Sequence, residues 1–311
     1  MAAKAWGTQQ KPVDEIFFQN DAVSLCLLVS RRAKTMRVID FRAGPTNAKR
    51  MFVLSLAQRE GVEKVYTLVE RDEVATWVKL GFAKEGNIPG FYKRSDAFLL
   101  GCSVHSALNG RASVQSETRI MVGGEEPVEE PDTAAHDFAE KTLAHAKRHA
   151  KDINEKALPL ARVAVIREAD ARKPVAMALK AGRALTAFEP FGRDVERRYF
   201  AMTARGSFEL VASTESQACF GNAFIELLTG PRNEAERLAT IAALRALCDK
   251  LLAEGIVSCF SLSPSDDVAL ATAYVYNGFR RTGLLQNHIV VGNDRKDAII
   301  WSRKLANPTD E

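Results

Sequence analysis

The sequence predicts an α/β (α+β) chain: a mixed sheet with flanking helices, built as a smaller unit followed by a larger version of the same unit. Three observations carry this. Short apolar runs alternate with stretches of helical spacing along most of the 311 residues. A Gly-Pro-x-Asn turn occurs twice, at Gly44–Asn47 and at Gly230–Asn233, each after an apolar run and before a helical one. Each copy then reaches a Gly-Phe pair, Gly81 with Phe82 and Gly278 with Phe279, spaced 37 and 48 residues from its Gly-Pro turn.

In the first copy, Val23–Val29 and Met36–Phe41 read as strands, with Val38, Ile39 and Phe41 available for burial. The turn ends at Asn47, a good N-cap residue, and Ala48–Glu60 follows as a helix with Met51, Leu54 and Leu56 or Ala57 on its apolar side. Lys64–Val69 is a strand, Glu73–Leu80 a short helix, and Glu85–Ile88 and Ala97–Leu100 two closing strands. Ser103–Thr133 is rich in Ser, Gly, Glu and Pro and reads as a linker, and Ala134–Ala157 as a charged helix on the boundary. The implied division is 14–105, 106–158 and 159–306.

In the second copy, Arg162–Arg167 is a strand and Ala171–Phe188 a helical region. Tyr199–Ala204 and Phe208–Ser213 flank a hairpin turn, and Ala223–Thr229 is the strand before the Gly-Pro turn. Glu234–Glu254 is the longest helix, with Leu238, Ile241, Leu244, Leu247 (or Cys248) and Leu251 on one face. Val257–Leu262 is a strand, Asp266–Asn277 a helix, and Arg280–Val291 and Ala298–Leu305 the last strands.

Composition bounds the function classes. Hydrophobic residues are 46% and charged residues 26%, ordinary globular values. A net charge of +4 gives no basis for a nucleic-acid partner. The longest early apolar run, Ala22–Val29, is far short of the roughly 20 residues of a membrane helix. The first residues have no apolar core of a secretory signal, and five scattered cysteines suggest reduced thiols, so a cytoplasmic protein is expected. Cys248 falls on the apolar face of the long helix, and Trp77 is expected in the first core. His145 and His149 lie among lysines and arginines, which disfavours a metal. The basic pairs Arg31 with Arg32 and Arg197 with Arg198 are too few for a nucleic-acid surface.

The second copy resembles a GNAT-family acyltransferase domain. The resemblance rests on the order of its elements and on Tyr274, which stands four residues before Gly278 and Phe279. The whole chain resembles the beta-lysine N-acetyltransferase branch, through Gly81–Gly101 with its Ile88, Pro89, Gly90, Phe91 run, and through the tail Gly278–Asn287 and Trp301–Leu305. The resemblance implies an acyl-CoA-dependent N-acyltransferase that uses acetyl-CoA and no metal, with a small, amino-acid-like amine attacking the thioester directly. It implies Tyr274 as the acid that protonates the leaving thiolate. It places acetyl-CoA against Leu228, Thr229, Arg232, Asn233, Ala235, Arg237 and Asn277.

Glu226 is a candidate base or ammonium contact, because alternation puts it on the opposite sheet face from Ile225 and Leu227. His288 is a candidate for the acceptor pocket. The acyl-CoA turn departs from the family's glycine-rich pattern: only Arg232 matches, and Glu234 and Glu236 occupy the first helical turn. Asn233 and Glu236 read as a capping box with Glu236 reaching back to the cap N–H. The alternative is therefore a catalytically degenerate acetyltransferase fold that serves as a binding or regulatory protein, with a homodimer or a protein as partner. In the first copy the equivalent turn carries Arg42, Lys49 and Arg50, which favours an anion.

Overall fold

A computed structural model describes residues 13–20, 23–41, 44–93, 95–108, 133–204, 208–217 and 219–306. Arg42 and most of the linker lie outside the described residues. The smaller half contains β1 (Val13–Gln19), β2 (Ser24–Ser30), β3 (Thr35–Asp40), α1 (Asn47–Arg59), β4 (Lys64–Val69), α2 (Val74–Lys79), β5 (Ala83–Ile88) and β6 (Ala97–Ser103). Next come α3 (Thr133–Lys151), β7 (Arg162–Ile166), α4 (Glu168–Lys180), β8 (Glu196–Ala204), β9 (Phe208–Gln217) and β10 (Asn222–Leu227). The chain ends with α5 (Glu234–Ala253), β11 (Ser258–Pro264), α6 (Val268–Tyr276), β12 (Arg280–Val291) and β13 (Asp294–Lys304). The fold is the mixed α/β sheet with flanking helices that the sequence predicts.

All the strands form one 13-stranded sheet in the order β1-β2-β3-β4-β6-β5-β12-β13-β11-β10-β9-β8-β7. Outwards from the central β5–β12 junction, the two halves run through the same connectivity. Each half has one parallel pair, β3 with β4 and β10 with β11, crossed over by α1 and α5 respectively. Pairing in the first runs from Thr35–Lys64 to Val38–Thr67, and in the second from Asn222–Ser258 to Ile225–Ser261. Beyond those points the strands separate, leaving a wedge in each half. At the closed end of each wedge a hydroxyl donates across the pair: Thr67 Oγ1 to the Val38 carbonyl at 2.9 Å, and Ser261 Oγ to the Ile225 carbonyl at 2.6 Å.

The junction is an antiparallel contact through Gly86 and Gly283. A Cβ at Gly283 would stand 2.5 Å from the Gly86 Cα, and one at Gly86 2.7 Å from the Gly283 Cα. Only glycine permits that approach. A register shift precedes each glycine, between Lys84 and Gly86 and between Arg281 and Gly283. Alternation then sorts the side chains. Ala223, Ile225 and Leu227 join the core beneath α3, α5 and α6, with Trp301 and Tyr274. Val65 and Val69 join the core of the smaller half with Trp77. Tyr66, Leu68, Phe224 and Phe260 point to the other face, where one apolar cluster spans both halves.

Several local expectations need correction. The N-cap of α1 is Thr46, whose hydroxyl accepts from the Lys49 N–H, not Asn47. Phe41 and Met51 are exposed, because Phe41 lies past the end of β3 and Met51 on the outer face of α1. The charged boundary helix packs Ala139, Leu143 and Ala146 into the core of the larger half. It ends at Lys151, and a separate 3-10 turn follows at Glu155–Ala157. The helical region after β7 ends at Lys180, and Leu185–Phe191 is an irregular loop. Among the described residues, no helix is long and apolar enough to cross a membrane.

Candidate functional site

Between the two halves lies a cavity of about 100 Å³. Its floor is β10 and β11, through Phe224, Glu226 and Leu262. One wall is the loop after α4, with Thr186, Glu189 and Phe191, and another is His288–Val290 on β12. The smaller half closes it with Ser30, Arg32, Thr35 and Tyr66. Two of the sequence-predicted residues, Glu226 and His288, therefore meet in one cavity.

Glu226 is held by three donors: Thr186 Oγ1 at 2.6 Å, Ser213 Oγ at 3.0 Å and Arg197 Nη1 at 3.2 Å. Arg197 also pairs with Glu215 and donates to the carbonyls of Phe188 and Glu189, so one guanidinium ties the loop to two carboxylates. Glu189 accepts from Ser30 Oγ at 2.7 Å across the halves. Burial pushes its carboxyl above the usual range, although Ser30 and Arg32 act the other way.

His288 is 7% exposed, and its ring meets Tyr66 edge-on with centroids 4.8 Å apart. Its Nδ1 has no hydrogen-bond partner. Burial, reinforced by the charges of Lys64 and Arg295, holds its pKa well below the ordinary 6.5, so the ring is neutral. Burial also pushes Tyr66 up to about 12. A cavity lined by a neutral imidazole and by the carboxyl groups of Glu226 and Glu189 can receive an ammonium group through hydrogen bonds.

Tyr274 does not line this cavity. It is fully buried, stacked on Trp301 with centroids 5.4 Å apart, and its hydroxyl meets Ser261 Oγ at 2.6 Å. Ser261 bonds Ile225, the neighbour of Glu226, so the phenol sits at the closed end of the β10–β11 wedge. Burial raises its pKa strongly, which keeps the phenol protonated.

The other predicted residues gather at the open end of that wedge. Leu228 is buried and carries the chain past β10; its N–H donates to Val211 and its carbonyl accepts from Leu185. Thr229 and Gly230 follow, and Asp267, the N-cap of α6, stands where a Gly230 Cβ would meet it at 2.6 Å. Asn233 caps α5 by accepting from the Glu236 N–H at 2.9 Å, and Ala235 is exposed. The Glu236 carboxylate reaches the Arg232 N–H at 2.9 Å, one residue before the cap, and also binds the Arg232 guanidinium. Arg237 pairs with Glu234 at 2.7 Å. Asn277 lies apart from these: its amide donates to Ile241 and Ala273 and ties α6 to α5.

The anion expectation for the first copy does not hold at Lys49 and Arg50. Lys49 is buried against Asp40 and donates to the Gly44 carbonyl at 3.0 Å, and Arg50 donates to the Leu80 carbonyl. His145 is exposed, and no metal-holding group occurs among the described residues. Sequence reasoning passed over Thr186, Glu189, Arg197 and Tyr66. Arg197 carried a visible signal in its pairing with Arg198, but a basic pair does not reveal that one member turns inward.

No family model and no curated protein matches the chain. Among solved structures, it is similar to the ribosomal-protein-S18-alanine N-acetyltransferase of Escherichia coli, with 20% identity over 49% of this chain and 98% of that one and a TM-score of 0.37. It is also similar to the spermidine N-acetyltransferase of Vibrio cholerae in complex with CoA and spermine, with 10% identity over 47% of this chain and 95% of that one and a TM-score of 0.38.

Proposed function

We propose that the chain is a GNAT-type, acyl-CoA-dependent N-acyltransferase whose acceptor is a small amine of the amino-acid or beta-lysine kind. The observation that carries this reading is the cavity that joins Glu226, Glu189 and a neutral His288 whose Nδ1 has no hydrogen-bond partner. Glu226 and Glu189 attract and orient the ammonium. Glu226 is the base that takes its proton, and His288, held neutral by burial, lines the pocket as a hydrogen-bonding wall. Acyl-CoA supplies the acyl group as a thioester. Tyr274 holds the proton for the departing thiolate, with Ser261 fixing its hydroxyl. We also propose that the two halves, 14–105 and 159–306, descend from one duplicated unit, since both have a splayed parallel pair with a bridging hydroxyl.

The acyl-CoA turn favours a second reading. A GNAT-type site would hold the pyrophosphate on N–H groups at the start of α5. Here Glu236 covers the Arg232 N–H, and a pyrophosphate would have to displace it. The turn opposes the phosphates, so a non-catalytic binding protein is the rival. The two separate on thermal shift with acetyl-CoA. The enzyme reading expects a dose-dependent rise in melting temperature, larger in Glu236→Gly. A wild-type protein that stays unmoved at millimolar acetyl-CoA while Glu236→Gly responds supports the rival. Silence in both sinks acyl-CoA binding at this turn.

A further inference from the structure

We propose that the chain holds a second ligand site, around Arg37 of the smaller half, that binds an amino acid with an apolar or aromatic side chain. A cavity of about 350 Å³ opens from the β3–β4 wedge toward the larger half. Its walls include Phe91, Tyr92, Phe191, Phe220 and Phe260, with Arg37 among them.

Arg37 is 9% exposed on β3. Among the described residues, no carboxylate pairs with it, and its Nε–H has no hydrogen-bond partner. One guanidinium nitrogen donates to the Phe191 carbonyl, and the group lies 4.7 Å from the Phe191 ring centroid. Among the described residues, every other charged group lining this cavity has a partner or lies at the rim. Asp40 pairs with Lys49, and Arg193 with Glu15. Glu215 binds Arg197 and the N–H groups of Phe191 and Gly192. Burying a permanent cation without a counter-charge is costly, and a guanidinium fork matches a carboxylate.

The rim has the opposite sign. Among the described residues, Glu70, Glu73 and Asp194 lie there, the Glu70 carboxylate accepting a 3.3 Å bond from Ser95 Oγ and Asp194 facing Arg193 at 3.6 Å. A cation among aromatic walls with acids at the mouth is complementary to a zwitterion: carboxylate inward, apolar body on the rings, ammonium outward. The register places Ile39 where the larger half has Glu226, so this cavity has no base at that position and binds without turning over. Phe191 also lines the first cavity, which gives an occupant here a direct wall in common with the acceptor site.

Calorimetric titration of the full chain without acyl-CoA tests this, with phenylalanine, 3-phenylpropanoate and phenethylamine as probes. Phenylalanine is expected to bind saturably, phenylpropanoate more weakly and phenethylamine not at all. Arg37→Met should weaken phenylalanine by about tenfold or more. Glu70→Gln, on the exposed rim, should weaken phenylalanine and leave phenylpropanoate unchanged. Should Arg37→Met not fold, Gln217→Trp at the cavity edge is expected to abolish binding by filling it. Glu226→Gln should leave all of these affinities intact, which separates this site from the acceptor cavity. No saturable binding of either carboxylate overturns the proposal, as does phenethylamine binding as tightly as phenylalanine.

Discussion

The His288 ring sits among Tyr66, Lys64 and Arg295, and each of those neighbours comes from a different strand or from the other half. Because its folded pKa is depressed, the folded state resists the proton that the unfolded chain accepts near pH 6.5. Its contribution to stability is therefore present above about pH 6.5 and is lost as pH falls below that value. Melting temperatures of the wild type between pH 7 and pH 5 should fall more steeply than those of His288→Gln; parallel curves would contradict the buried neutral ring. The outward alternation of Glu226 was legible in the sequence, because period-two burial needs only Ile225 and Leu227 as neighbours. The burial of His288 was not legible, because its cover, Tyr66, comes from the other half, more than two hundred residues away in the chain. Glu189 escaped for a similar reason: its partner is Ser30 on β2.

Turns, caps and strand runs obey local rules, and most elements were readable from them. Asn233 caps α5 as its side chain and spacing suggest. The first strand, Val13–Gln19, went unread because its burial is only partial and Phe17 is exposed against Arg193. The capping carboxylate of Glu236 moved by one residue, to Arg232, because the arginine offers its guanidinium together with its N–H. The junction strands show the limit of pattern reading most clearly. Gly86 and Gly283 look like ordinary strand glycines, yet they touch each other across the seam. Gly283→Ala puts a methyl against backbone, and overpacking of this kind costs about 1–3 kcal/mol. Urea unfolding should record that loss, whereas Gly90→Ala, in an open turn, should act through its positive φ alone. An unchanged midpoint for Gly283→Ala would mean that the seam is looser than described.

At the scale of the molecule, the halves share a sheet, an apolar cluster and several crossing bonds. Arg32 donates to the Val290 carbonyl at 3.0 Å, Arg295 pairs with Glu63 at 3.0 Å, and Lys64 bonds both Glu85 and the Gln286 carbonyl. The repeated Gly-Pro and Gly-Phe punctuation was legible in the sequence. The edge-to-edge joining of the halves was not, because it depends on which strand ends the sheet order of each half. This continuity predicts cooperative unfolding. Trp77 reports the smaller core and Trp301 the larger. With Trp6 replaced by Phe in both, fluorescence of Trp77→Phe and of Trp301→Phe, each referred to its own circular-dichroism midpoint, should show coincident transitions; two separated steps would mean independent halves.

The functional account rests on an amine being acylated in the cavity that the two halves close together. Amine-dependent release of free CoA thiol from acetyl-CoA measures that directly. Titrated with diamines and amino acids bearing a free side-chain amine, the wild type should release thiol at a saturable rate, and Glu226→Gln should lower that rate by about a hundredfold or more. A wild-type rate that no amine raises above the background, in protein that binds acetyl-CoA, would contradict it.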